Sequence, residues 1–408
     1  MATNKRKIFN DPVYGFVSIP SDLIYDLIEH PYFQRLRRIK QLGLAEYVYP
    51  GALHTRFHHA LGAMHLMGQA LQTLQAKGHL IFEAEWEAAQ VAILLHDIGH
   101  GPFSHVLEYT LLSDVHHEEI SQLFMQKLNL EFDGRLDLAI QMFNGTYHRA
   151  FFHQLISSQL DMDRMDYLNR DCFFTGVAEG TIGVDRIIKM LNVHDNQLVV
   201  EEKGLLSVEN FLNARRLMYW QVYLHKTSIC TEVMLIQIIK RAKELIRNGK
   251  ALFVTPAFGF FLKNEVNFND FKESAEILQT FADLDDADIW GCIKVWKHDD
   301  DFILSKICTD LLNRKLFKIR LSNTPFSKES IDEIESGIAK TGLNSKLENY
   351  FMSVGEVSNK AYVAGNEQIT ILKKNQTVVD IAEASDLPTI KALSNVVKKY
   401  YVCYLNFT

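Results

Sequence analysis

The chain has 408 residues, 47% of them hydrophobic and 23% charged, and a formal net charge of -7. That length allows two or three domains and a large core, while the acidic balance argues against a surface built to coat nucleic acid. With no run of 18 apolar residues, a polar start (Met1 to Asn10) and five scattered cysteines without a C-x-x-C pair, the expectation is a soluble, unexported, cytoplasmic protein with no membrane partner and reduced thiols.

Taken in chain order, Ile8 to Pro20 reads as a short extended start. Ser21 is suited to cap a helix whose Leu23, Ile24, Leu27 and Ile28 face inward. The pattern from Leu61 to about 250 is helix after helix, interrupted by the strand-like Gln197 to Glu201. Residues 251–320 continue helical, and their acidic runs at Asp283–Asp288 and Asp299–Asp301 read as solvated faces. Beyond about 315, Leu316–Leu321, Ala361–Val363 and Ile369–Lys373 alternate as strands do, and Ser385–Tyr400 returns to helix. The expected fold is mostly α: a helical core over 1–315 and a smaller C-terminal α+β lobe over 316–408.

Ten of the 16 histidines fall between positions 54 and 117. The densest segment, His96-Asp97-Ile98-Gly99-His100-Gly101-Pro102-Phe103-Ser104-His105, closes the helical pattern of Trp86 to Leu95, with Gly99 placed to end the helix. Adjacent imidazole and carboxylate groups make a mixed N/O donor set suited to a borderline or hard divalent metal. Downstream, Asp163, Tyr167 and Asp171 share one helix face at i, i+4 and i+8, with Arg164 beside them. Arg215, Tyr219 and Tyr223 repeat that spacing. An aromatic at such a position serves the core as readily as a ligand.

The combination R-F-x-H, H-D-x-G-H-G-P-F-S-H and D-x-D-R-x-D-Y-x-x-R-D resembles the HD-domain phosphohydrolases. It looks most like the deoxynucleoside triphosphate triphosphohydrolases, the group that includes the mammalian enzyme joining a sterile-alpha-motif domain to an HD domain. The resemblance runs from about Lys7 to Lys226 and resumes at Arg314 to Lys318. It implies an HD-domain helical core and metal ligands His59, His96, Asp97 and Asp163, with the metal drawn from Fe, Mn, Zn, Ni or Mg. His100, His105 and His117 match catalytic and triphosphate-facing histidines, with Glu108 or Glu118 orienting His117. Arg56, Arg164, Tyr167 and Arg215 match a phosphate clamp, Gln41 and Leu42 face the sugar, and Asp171 and Tyr223 contact sugar and base. The implied reaction is attack of water on the α-phosphorus of a dNTP, releasing deoxynucleoside and inorganic triphosphate. Leu224 stands where the family has a base-side glutamine.

The alternatives are an HD phosphohydrolase acting on another nucleotide or phosphoester, and a non-catalytic nucleotide sensor. Guanosine tetraphosphate hydrolases carry Glu-Asp soon after the HD pair, where this chain has Gly99-His100-Gly101. Cyclic-di-nucleotide phosphodiesterases share a His-His-Glu, mimicked by His116-His117-Glu118, but continue with a Gly-Tyr-Pro element that is missing here. A sensor should have lost a ligand or a histidine, and every expected position is filled. The resemblance further implies an activating nucleotide between subunits of a homo-dimer or tetramer, held by Lys7, Asn10, Glu29, Gln34, Arg37, Arg314 and Lys318. Sequence shows no chain-local pairing for the basic and amide members of that set.

Overall fold

A computed structural model describes residues 7–103, 106, 110–112, 115–340, 348–359, 362 and 368–406. The extended start is an antiparallel hairpin, β1 (Ile8–Asp11) and β2 (Gly15–Ser18), in register Ile8 to Ser18. Its turn is tied by Asp11, whose Oδ1 accepts from the amides of Val13 and Tyr14 at 2.9 and 3.0 Å. Helix α1 (Asp22–Glu29) follows with Ser21 Oγ accepting from the Ile24 amide, and buries Leu23, Ile24, Leu27 and Ile28 as expected. A short α2 (Pro31–Gln34) runs into a 3₁₀ turn at Arg35–Arg38.

The centre of the molecule is a stack of helices: α3 (Arg56–Ala76), α4 (Glu83–Leu95), α5 (His117–Glu131), α6 (Asp137–Phe143), α7 (Ala150–Ile156) and α8 (Met162–Thr175). Helix α3 is apolar on nearly every side, burying 13 of its 21 residues, because it packs against α4 on one flank and α8 on another. All-round apolarity of this kind marks a helix inside a core. Then come α9 (Val184–Met190), the hairpin β3 (Leu191–His194) and β4 (Gln197–Glu201), and α10 (Leu205–Met218). Residues Tyr219–Tyr223 continue α10 as a single π turn, so Tyr219 and Tyr223 keep adjacent rings, with centroids 5.2 Å apart. Helix α11 (Lys226–Arg247) spans the molecule, followed by α12 (Pro256–Lys263), α13 (Phe268–Glu273), α14 (Ala275–Ala282), α15 (Asp286–Trp296) and α16 (Phe302–Leu312).

The acidic runs are solvated only in part: Asp283 and Asp300 are exposed as expected, and others are not. Asp285 and Asp286 are buried; Asp285 caps α15 and pairs with Arg38, and Asp286 Oδ2 accepts from the Lys40 amide at 3.0 Å. Asp301 caps α16 and pairs with Arg241, and Asp299 pairs with Lys250. Carboxylates clustered at a helix start satisfy its orphan amides, which an alternating-charge reading does not register.

The last part of the chain holds β5 (Lys318–Ser322), α17 (Lys328–Ala339), α18 (Glu348–Phe351), β6 (Met352–Asn359), β7 (Thr370–Leu372), β8 (Val378–Asp380), α19 (Ile381–Ala384), α20 (Pro388–Ala392) and β9 (Val397–Tyr404). One sheet has the order β5-β9-β6. The other, β3-β4-β7-β8, joins β4 to β7 in parallel, Val200 opposite Ile371, and so draws strands from both sides of residue 315. The helix expected over Ser385–Tyr400 stops at Ala392; from Val397 the chain is the central strand β9, held by partners distant in sequence, from Asn359 opposite Val397 to Lys318 opposite Tyr404. Two of the three residues of the expected strand at Ala361–Val363 lie outside the described residues. No helix of the described residues is long and apolar enough to cross a membrane.

Burial pushes the Asp286 carboxyl up to about 7, against the pull of the Lys40 amide and ammonium and with the help of the neighbouring Asp285 charge. Between its unfolded value, about 3.9, and 7, the folded protein holds a proton that the unfolded chain releases. Stability therefore falls as pH rises through that window. The expected result is that Asp286→Asn flattens the decline of the urea midpoint between about pH 4 and pH 7; a slope equal to the parent's would show that Asp286 does not titrate there.

Candidate active site

Helix α4 delivers His96 and Asp97 by ending at Leu95, and residues 96–99 form a turn. Gly99 is not a left-handed cap, since it is absent from the positive-φ glycines. Its role is close approach: a Cβ there would sit 2.2 Å from the His117 carbonyl and 2.3 Å from the Ser121 amide. The turn is pinned to α5 by Ser121, whose Oγ accepts from the Gly99 amide at 2.9 Å and donates to the His96 carbonyl at 2.7 Å. From the other side the buried Arg35 guanidinium donates to the carbonyls of Ile98 and His100 at 2.9 and 2.8 Å. The turn is thereby tied at His96, Ile98, Gly99 and His100.

Three helices converge at this turn. His59 from α3 presents Nε2 to Asp163 Oδ1 of α8 at 3.1 Å and to Asp97 Oδ2 at 3.8 Å. His96 Nε2 lies 3.4 Å from Asp97 Oδ1 and 3.4 Å from Asp163 Oδ1. Neither Nε2 is aligned for a hydrogen bond among the described residues, although both are buried. Their other ring nitrogens are committed, His59 Nδ1 to Asp166 Oδ2 at 2.7 Å and His96 Nδ1 to the Ile93 carbonyl at 2.6 Å. Such partners fix the tautomer that leaves the Nε2 lone pair facing the site. Buried polar atoms that converge without bonding one another fit a divalent cation: His59, His96 and Asp163 form one group that could hold a metal, and Asp97 belongs with His100 and His117 to a second.

The electrostatics agree. Burial would neutralise His59, but the Asp163 and Asp166 carboxylates beside it hold it up to about 10. Burial likewise opposes ionisation of Asp97 and Asp163, and the imidazoles, with Arg56 at Asp97, keep both well below the usual carboxylate range. Anionic oxygens kept ionised in a buried place create a field that favours positive charge.

The shell behind these ligands was not assigned any role from sequence. Asp166 accepts from Arg170 Nε and Nη2, each at 3.0 Å, and Arg170 Nη1 donates to Asp11 Oδ2 at 2.8 Å. Asp166 and Arg170 sit four apart on α8, a spacing that usually signals a solvent-facing pair, yet both are fully buried. Room for them comes from Gly62 of α3: a Cβ there would lie 2.0 Å from Asp166 Oδ1 and 2.2 Å from Arg170 Nη2. Glycine in the middle of α3 was the available signal.

A cavity of about 470 Å³ opens beside the metal-ligand cluster. Asp97, His100, His117, Asp163, Arg56, Arg164, Tyr167, Asp171 and Tyr223 line it, as do Gln41 and Leu42. The bridge between Lys40 and Thr55 holds Gln41 and Leu42 against the start of α3. Arg56 Nη1 donates to Asp97 at 2.5 Å. Arg164 is clamped by Asp161, the cap of its own helix. Asp171 accepts from the Tyr223 hydroxyl at 2.8 Å and pairs with His54 at 2.7 Å. His100 stacks on His117 at 3.7 Å, and burial, then the Arg56 charge, drive His100 well below its ordinary value. Glu118 Oε1 lies 3.3 Å from His117 Nε2, so of the two carboxylates expected to orient His117, Glu118 is in place. His105 and Glu108 lie outside the described residues. Arg215 does not line the cavity wall; it is buried behind it, facing Tyr219, and its Nε and Nη1 have no hydrogen-bond partner among the described residues.

The residues expected for a second nucleotide are more dispersed. Arg37 and Arg314 line one open groove with Arg38, Lys40, Trp290 and Lys294, whereas Lys7, Asn10, Glu29, Gln34 and Lys318 do not line it. Contrary to the expectation of no chain-local pairing, Arg37 Nε donates to Gln34 Oε1 at 2.9 Å, and Gln34 Nε2 donates to the Ile28 carbonyl at 2.7 Å.

A family model of the HD domain matches residues 56–171, and one of the HD associated region matches residues 182–251. The chain is similar to the uncharacterized protein YwfO of Bacillus subtilis, 32% identical over 393 residues, covering 94% of this chain and 88% of that one. It is also similar to the deoxynucleoside triphosphate triphosphohydrolase SAMHD1 homolog of Dictyostelium discoideum, 28% identical over 84% of this chain and 66% of that protein. A crystal structure of a phosphohydrolase from Bacteroides thetaiotaomicron matches with a TM-score of 0.95 at 52% identity, over 98% of this chain and 100% of the other. The chain belongs to the HD-domain phosphohydrolase superfamily, as the sequence motifs led us to expect.

Gly62→Ala is expected to cost about 1–3 kcal/mol by overpacking and to weaken metal retention about 10–100-fold through the displaced Asp166. Urea denaturation and metal content after dialysis measure the two effects. Parent-like values for both would show that α3 and α8 can separate without cost.

Proposed function

We propose that the protein is a divalent-metal-dependent hydrolase that converts deoxynucleoside triphosphates to deoxynucleoside and inorganic triphosphate. The observation that carries this reading is one cavity walled by Asp97, Asp163, His100 and His117 together with the guanidinium groups of Arg56 and Arg164. A phosphoester bound there meets a metal-ligand cluster and fixed positive charge at the same place. The dNTP-hydrolase name of the Dictyostelium relative supports the choice of substrate.

In this reading His59, His96, Asp97 and Asp163 hold the metal. When bound, a divalent ion of this kind polarises a phosphoryl oxygen and lowers the pKa of water. The rest falls to the chain. Arg56 and Arg164, which line the cavity, hold and neutralise the triphosphate, with Arg164 already fixed by Asp161 so that little reorganisation is needed, and Arg215 adds its charge from outside the lining. Water adds to the α-phosphorus and the bond to the 5′-oxygen breaks. His117, beside Glu118, delivers the proton that the departing 5′-oxygen requires. Gln41 and Leu42 face the sugar, Asp171 and Tyr223 border it as a pre-bonded pair, and Tyr167 crowds the 2′-position.

The expected product is inorganic triphosphate, identified by mass analysis; a nucleoside diphosphate as main product would overturn the reading. Asp97→Ala should strip the metal and cost at least ~100–1,000-fold in kcat, the loss typical of one transition-state donor.

The reading extends to regulation by a second nucleotide in a dimer or tetramer, using Lys7, Asn10, Glu29, Gln34, Arg37, Arg314 and Lys318. Its support is the basic groove shared by Arg37 and Arg314. Coupling of about 1–3 kcal/mol would give sigmoidal rate curves or stimulation by GTP or a second dNTP. Arg37→Ala with Lys318→Ala should flatten that response and leave basal turnover; hyperbolic kinetics from a concentration-independent monomer would remove the regulatory half.

A further inference from the structure

The wall of the cavity beyond Leu224, which stands at the family's base-side glutamine, was not assigned from sequence. Three lining residues come from the start of α11 and the turn before it: Leu224, Ser228 and Glu232. Ser228 and Glu232 are four apart and therefore neighbours on one face of the helix. Leu224 can neither donate nor accept. Ser228 is 3% exposed, and its Oγ has no hydrogen-bond partner among the described residues, an uncommon state for a buried hydroxyl. Glu232 is half-buried, and its charge reaches the C-terminal sheet: the Tyr401 phenol is pushed up by burial and, in addition, by Glu232.

We propose that Ser228 and Glu232 are the base-reading wall of this cavity, and that Glu232 selects guanine. The inference rests on the nucleotide reading of the site. An ionised carboxylate only accepts hydrogen bonds. Guanine alone of the four bases offers two adjacent donors, N1–H and N2–H, with the spacing of two carboxylate oxygens. Adenine and cytosine place a ring-nitrogen lone pair beside their amino group, and thymine flanks its N3–H with two carbonyls, so each would set a lone pair against Glu232. The Ser228 hydroxyl, able to donate and accept, is free to bond a base edge or a water held against it. With Leu224 silent, discrimination falls to these two residues.

The test uses the full-length, metal-loaded protein and α,β-imido analogues of dGTP, dITP, dATP and dCTP in titration calorimetry, with turnover of the four dNTPs in parallel. The guanine analogue should bind about tenfold to a hundredfold tighter than the adenine or cytosine one, the range of a bidentate base contact. Hypoxanthine, which lacks the 2-amino group, should lose most of that advantage. Glu232→Gln should erase the guanine-to-adenine ratio by weakening the guanine analogue without weakening the adenine one, an outcome that a role confined to supporting Tyr401 would not produce. Ser228→Ala should narrow the ratio by a smaller factor. The hypoxanthine comparison needs no variant and stands even if Glu232→Gln fails to fold. Equal binding of all four bases, or a guanine preference unchanged in Glu232→Gln, overturns the proposal. Base-selective binding without any release of triphosphate would instead sink the hydrolase reading and leave this one in place.

Discussion

A single buried chain of charges, Asp11 to Arg170 to Asp166 to His59, is the constraint on which the site depends. It begins at the turn of the N-terminal hairpin, crosses α8 and ends on the imidazole of α3. None of its members could be stable alone in that environment. Removing one partner of a buried ion pair typically costs about 3–5 kcal/mol because the other is left uncompensated. The hairpin is thus part of the site's foundation, and the orientation of His59 is set before any ligand arrives. Arg35 and Ser121 do for the HD turn what Arg170 does for His59, acting on backbone carbonyls and amides rather than on side chains.

Around this foundation the cavity combines opposite demands. The carboxylates of the ligand cluster raise the His59 imidazole above its ordinary value, while Arg56, bonded to Asp97, and Arg164, next to Asp163, line the same cavity. A triphosphate is compatible with the first only when a cation offsets it, and with the second directly. That division of charge across one small space is what separates a phosphoester site from a simple metal-storage cluster.

Much of this was legible in the chain. The face of Asp163, Tyr167 and Asp171 emerged from helical spacing, and all three line the cavity. The capping of α1 by Ser21 and the strand at Gln197–Glu201 were local signals with local causes. What escaped was decided at a distance. The run at Val397–Tyr404, VKKYYVCY, already favours a strand by its Val and Tyr content, and pairing with β5 and β6 secures it against the helix expected to reach Tyr400. Gly99 has the sequence position of a helix cap, and only the approach of α5 explains it. Asp166 and Arg170 have the spacing of a surface pair, and burial against Gly62 turns them into structural charges. Asp285 and Asp286 look solvated until the start of α15 is seen to use them.

The sheet shared between β4 and β7 carries a consequence of its own. Strand β4 is flanked by β3 on one side and by β7, 170 residues later in the chain, on the other. A fragment ending before β7 would leave the edge of β4 at Val200 and Glu201, where β7 now pairs, open to template against another copy. The late strands cover that edge, which stays unpaired until β7 has been synthesised. Until then the nascent chain carries a sticky edge next to the helices that form its active centre.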